Sequence, residues 1–178
     1  MAMEPGVYEV RFIQNGIVRE VGTFGLETTV ADESVSGVFN VAKGAAAGLA
    51  NAFPNAFVAL LLRRQEADEV MEDYDTVAAL LAGESEEATF TNYARKTGLT
   101  ATVEVDDAGD AASISIPNQA WLTAGGAVNN SLVKLVIAVQ TGADDTTLIP
   151  LTHHNFQIIT NGSAIATGFN EDGFYRVQ

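Results

Sequence analysis

Cysteine is absent from the chain, which excludes disulfides, thiolate metal sites and cysteine nucleophiles and leaves the redox compartment open. Histidine is nearly absent: His153 and His154 are the whole complement. As neighbours on a strand they project to opposite faces and cannot chelate one ion together. Bases are scarce, with Lys and Arg numbering 9 against 23 Asp and Glu. The resulting net charge of -14 argues against nucleic acid or an anionic membrane as partner, since both would repel the chain. No apolar run approaches the roughly 18 residues of a membrane helix. The opening MAMEPGVYEV has neither the basic nor the apolar stretch of a secretory signal, so none is expected. No serine sits in a nucleophile elbow, Gly162-Ser163-Ala164 being the exit of a turn. No phosphate loop is present either, because the Ala45–Gly48 stretch lacks the spacing and the Lys-Ser/Thr ending.

What the chain does have is the grammar of antiparallel sheet. Its 178 residues, 47% of them apolar, suit one domain plus an appendage, burying roughly 70% of the extended-chain surface. Val133, Leu135, Ile137 and Val139 recur at every second position, with Lys134, Ala138 and Gln140 between them, which predicts a strand buried on one face. Phe156–Thr160 and Ser163–Thr167 flank Asn161-Gly162, a strong hairpin signal because a type I′ turn needs positive φ at both central residues. Asn170–Gly173 is a further turn, before Phe174–Val177. At the other end Val7–Ile13 and Ile17–Phe24 flank Gln14-Asn15-Gly16, again a hairpin. Two strands alone are marginal in water, so this arm is expected to dock on the main domain or on another subunit. Leu26–Gly37, rich in Thr, Ser and acids, reads as a linker, dividing the chain into an arm and linker, 1–37, and a β-rich domain, 38–178.

Between these ends the period changes. Ala42–Phe53 suits a small-residue helix, weakened by Gly44 and Gly48 and stopped by Pro54-Asn55. Ala56–Leu62 is a continuous apolar run ended by Arg63-Arg64, the pattern of a buried central strand. Glu66–Tyr74 is an acidic connection, after which Asp75 is expected to cap a short helix, Thr76–Ala82, with Gly83 as its stop. Phe90–Lys96 turns into a strand, and Thr100–Val105 and Ala111–Ile116 alternate around Asp106–Asp110. The fold class expected is mainly β (α+β): an antiparallel sandwich or small barrel with one or two short helices inserted near its start, plus the N-terminal hairpin arm.

The acidic clusters Asp106–Asp110 and Asn170–Gly173 resemble fragments of calcium loops, yet neither carries the full alternating ligand series with its closing Glu. Asp and Gly serve tight turns for their own sake, so no metal and no cofactor is expected. No acid/base carboxylate pair is recognisable, and the chain is expected not to be an enzyme.

One series of motifs carries a resemblance. Glu72–Gly83 (EDYDTVAALLAG), then Glu87–Lys96 (EATFTNYARK), an acidic turn, Ile116-Pro117-Asn118-Gln119-Ala120-Trp121 and the closing Gly173-Phe174-Tyr175-Arg176 together resemble small virion proteins of tailed bacteriophages. The likeness runs from about Phe39 to the C-terminus and leaves the arm outside it. It implies a structural role on the phage head as a decoration or cement protein. The partner would be the major capsid protein and the oligomer a homotrimer, made in the host cytoplasm and placed on the head exterior, with no nucleic acid or membrane bound. The alternative is a head or tail fibre module that recognises a receptor through the loops Asp106–Asp110 and Gly142–Thr147 and through Trp121, the sole tryptophan and, if exposed, able to stack on a sugar. For the capsid-facing part the arm is the candidate, through Tyr8, Val10, Phe12, Val18 and Phe24.

Overall fold

The computed structural model describes residues 6–14, 17–26, 55–106, 111–169 and 173–177, the strands at 6–14 and 17–26 by their backbone. The expected helix at 42–53, the linker at 27–37 and the centres of the two acidic turns, 107–110 and 170–172, lie outside the described residues. The arm hairpin is β1 (Gly6–Gln14) and β2 (Ile17–Leu26). Then come β3 (Phe57–Arg64), the short helices α1 (Asp68–Met71) and α2 (Val77–Ala82), β4 (Glu86–Glu87), β5 (Lys96–Leu99), β6 (Thr102–Asp106), β7 (Ala111–Ser115), β8 (Ala120–Trp121), β9 (Ser131–Gln140), β10 (Leu148–Ile159), β11 (Ile165–Ala166) and β12 (Tyr175–Val177). The chain is therefore mainly β, as its turn spacing predicts.

β3 organises the rest. Its apolar run has no polar face, and the strand sits inside the main sheet, whose order is β10-β9-β3-β4 with β5 also on β3. Every strand pair in it is antiparallel. Alternate side chains of β3 enter two separate apolar layers. Phe57, Ala59 and Leu61 join Ile114, Ile116, Trp121, Ile165 and Phe174 on one side. Val58, Leu60 and Leu62 join Met71, Val77 and Leu80 of the helical segment on the other. The first layer is closed by two small sheets, β12-β7-β6 and β11-β8. Burying both faces makes Phe57–Leu62 all but inaccessible, and each of the larger side chains contributes about 1.5–3 kcal/mol on transfer from water.

Three local expectations are corrected. β9 is buried on both faces rather than one, since Val136 and Ala138 meet the helical layer while Leu135, Ile137 and Val139 meet the other; even Lys134 is only 2% exposed. The cap of α2 is Thr76, not Asp75: the Thr76 hydroxyl accepts the Ala79 N–H at 3.1 Å, and Gly83 ends the helix as expected. The Asn161-Gly162 hairpin does not form. Gly162 takes φ 95°, but Asn161 stays out of the left-handed region, and its Oδ1 instead accepts the Ser163 N–H at 3.0 Å. Gly162 N–H donates to the Ala124 carbonyl at 2.8 Å and Ala124 N–H to the Ser163 carbonyl at 3.1 Å. The chain is thus drawn across to 120–124, where Ile165 pairs with Trp121, and the end of β10 pairs with β9 through Ile158↔Leu132 and Ile159↔Ser131.

Candidate functional site

The hairpin forms where alternation and Asn15-Gly16 place it, with Gln14 opposite Ile17. A register shift between Val10 and Arg11 gives it a bulge. Tyr8 lies opposite Phe24 and Val10 opposite Gly22, whereas Val18 lies opposite Ile13, in the other alternating set from Tyr8, Val10 and Phe12. The register therefore puts Tyr8, Val10, Phe12 and Phe24 in one set and separates Val18 from them. Among the described strands, β1 and β2 pair only with each other.

On the main domain three arrangements hold polar or exposed groups. The first is centred on Arg95, whose guanidinium forks twice. Nε and Nη2 donate to Glu87 at 2.8 and 2.7 Å, while Nη1 and Nη2 donate to Asp145 at 2.5 and 2.9 Å. Tyr93 extends the chain of bonds, its hydroxyl donating to Glu87 Oε1 at 2.7 Å and accepting the Leu61 N–H at 3.0 Å. Hydrogen bonds from Arg95 hold the Asp145 carboxyl below its ordinary pKa, and burial followed by the Glu87 charge pushes the Tyr93 phenol up. The Asp145 carbonyl also accepts the Ala78 N–H at 3.0 Å, so the network ties β3, β4, the 141–147 loop and α2 together. With every acceptor already taken by a fixed donor, it is a structural clamp.

The second arrangement surrounds Lys134, whose ammonium donates to Asp68 Oδ2 at 3.0 Å and Asn155 Oδ1 at 2.8 Å. That bond holds the Asp68 carboxyl below its ordinary pKa. His153 lies beside it, Nε2 at 3.4 Å from Glu72. His154 turns to the opposite face, its ring edge-on to Phe169 at 5.5 Å and its Nε2 at 3.0 Å from Thr152 Oγ1. Burial, then the charges of His153 and Lys134, lower its pKa. The histidines thus diverge as adjacent strand residues must. Among the described residues no group of three or more His, Asp or Glu side chains could hold a metal.

The third is a cluster of loops at 122–130 and 159–163. Thr91 N–H donates to the Val128 carbonyl at 3.0 Å, and Thr160 N–H donates to the Asn130 carbonyl at 2.9 Å. Three large apolar side chains are exposed there: Leu122 at 78%, Val128 at 50% and Ile159 at 73%. Nothing in the sequence distinguishes them from core residues, because exposure here follows from where β10 and the loops stop. Trp121, by contrast, is buried, its indole N–H donating to the Ala94 carbonyl at 2.8 Å beneath the Lys96 ammonium, so it offers no face to a sugar. Apart from Asp145, which is held by Arg95 and Ala78, the polar groups of the 142–147 loop bond within it: Thr141 N–H donates to the Thr147 carbonyl at 3.0 Å and Thr146 N–H to Asp144 Oδ1 at 3.0 Å.

Fold and surface together define a mainly β domain of acidic character carrying a hairpin as a sheet of its own. No family model, curated protein or solved structure matches the chain.

Proposed function

We propose that this chain is a virion structural protein of a tailed bacteriophage, a capsid decoration or cement protein that binds assembled major capsid subunits as a homotrimer and stabilises the head. The observation that carries the reading is the hairpin. β1 and β2 have 9 and 10 residues and gain no third strand from their own chain among the described residues. A ribbon of that kind is marginal in water by itself and gains stability by docking, here on another subunit. The sequence series from Glu72 to Arg176 supports the same reading through its likeness to phage virion proteins. The mechanism is linkage: a protein that binds the closed shell and not the opened one stabilises the closed form in proportion to its occupancy, by about 2.7 kcal/mol per site at a hundredfold excess over Kd. A net charge of -14 keeps such a protein off the packaged DNA.

The test is heating of heads that carry or lack the protein, with DNA release as the readout. Bound heads are expected to open at higher temperature, and the gain should disappear with a Tyr8→Asp/Phe12→Asp variant. Equal opening temperatures for bare and bound heads would end the proposal.

A further inference from the structure

Among the described residues, the long outer strand of the main sheet has no second strand beside its outer edge. β10 runs for 12 residues, terminates the sheet order and, among the described residues, pairs with β9 alone. Natural proteins blunt such an edge with charges, proline or bulges. β10 has Pro150 and register shifts after Pro150 and after Asn155, but its sequence, LIPLTHHNFQII, contains no Asp, Glu, Lys or Arg. In a chain of net charge -14 that is a local exception. Proline guards the start of the strand and Leu151 and Thr152 are buried, while from His153 onward the strand is half-buried to exposed and ends on the exposed Ile159; no described strand other than β9 pairs with Leu151–Ile159.

The hairpin has the complementary need. Its residues 6–26 contain Glu9 and Glu20 against Arg11 and Arg19 and so also carry no net charge. β1 has 9 residues, which span about 30 Å at strand rise, the length of the open part of β10. Within one chain the two are not paired. We infer that the β10 edge, Leu151–Ile159, is a strand-addition site whose occupant is the β1–β2 hairpin of a second copy of this chain. Pairing would satisfy both edges with main-chain hydrogen bonds and convert a two-stranded ribbon into part of a larger sheet. Because the hairpin and β10 are different surfaces, each copy offers one of each: two copies can exchange hairpins reciprocally, and a head-to-tail series ends without free edges where the rotation between copies closes it into a ring. Two chains that repel over most of their surface would meet through their neutral stretches. The contact is between copies in solution and does not depend on binding to a capsid.

Sedimentation of the full chain over a wide concentration range, without capsid, tests it. A discrete oligomer is expected. Gln157→Pro should weaken it by about tenfold or more in dissociation constant without changing the melting temperature of the dissociated chain, because Gln157 lies in the register shift between Asn155 and Ile158 and has no ladder partner in β9. Val10→Pro should weaken it as much. Amide hydrogen exchange of the unsubstituted chain provides a readout independent of any variant, with protection of 151–159 and 6–26 rising together as concentration rises. A monomer at all concentrations, concentration-independent exchange at 151–159, or an oligomer that loses stability with Gln157→Pro but not with Val10→Pro would each overturn the inference.

Discussion

Arg95 ties distant parts of this structure together, because its two forks are used at once. A planar guanidinium matches two carboxylates bidentately, which a lysine ammonium cannot do. The Arg95 side chain is 23% exposed, so the network is only partly screened by water. Arg95→Ala leaves Glu87 without its counter-ion beside the Tyr93 hydroxyl and leaves Asp145 held only through its carbonyl, by the Ala78 N–H. The expected loss is about 2–3 kcal/mol in urea unfolding, somewhat less than the roughly 3–5 kcal/mol of a fully buried pair because water partly screens this one. Arg95→Lys should lose most of that, since it keeps the charge and not the forks. A loss below about 0.5 kcal/mol for Arg95→Ala would place the pair among surface ion pairs of negligible value. None of this was legible beforehand. Glu87 and Arg95 are 8 residues apart and Arg95 and Asp145 are 50 apart, and no periodicity marks partners joined only by tertiary folding. Lys134 misled for a related reason: a charged residue in an alternating strand reads as solvent-facing, and here Asp68 and Asn155 let it stay inside.

Elements were legible where one signal dominated. The run from Phe57 to Leu62 had the length of a strand and no polar face, so a central position was its only way to bury both sides. The N-terminal hairpin was equally clear, because two alternating runs met at Gln14-Asn15-Gly16, and the strands extend to leave only Asn15-Gly16 between them. Asn161-Gly162 presented the same signal and failed, since contacts to Ala124 outweighed a local preference of the turn dipeptide. The closing strand shows how a turn residue is held by packing. Gly173 takes φ 68°, and a Cβ there would lie 2.7 Å from the Ile114 carbonyl carbon, at the point where Phe174 N–H donates to that carbonyl at 3.0 Å. Phe174 in turn packs on Phe57 with ring centroids 5.9 Å apart. Gly173→Ala therefore combines an unfavourable backbone region with a clash against backbone that cannot move without displacing a core aromatic. It should cost about 2 kcal/mol or more, read as a drop in thermal midpoint with the β7–β12 amides losing exchange protection. Unchanged protection there would show that β12 is not held through this contact.

For the whole molecule the balance of charge sets how stability responds to acid and salt. Its few bases are largely committed among the described residues: Arg63 to Glu86, Arg64 to Glu84 and Glu86, Arg95 to Glu87 and Asp145, Lys134 to Asp68. The excess acid is left to repel itself, and screening by salt should raise the melting temperature at pH 7. Acidification acts on two opposed groups of sites. His154 has a folded-state pKa below its ordinary 6.5, so it is neutral in both states at pH 7 and the unfolded chain takes up the proton first. Stability is full above 6.5 and falls as pH drops from there toward the folded value. Asp145 follows the same sign lower down, its contribution present above 3.8 and lost as pH falls below it. Most carboxylates stay ionised down to about pH 5, so repulsion is little relieved in the window where His154 already opposes folding. The melting temperature is therefore expected to fall between pH 7 and pH 5 at fixed high salt, and His154→Gln should flatten that fall. A profile that rises over the same window, or one that His154→Gln leaves unchanged, would mean that charge repulsion and not the half-buried imidazole governs the acid response.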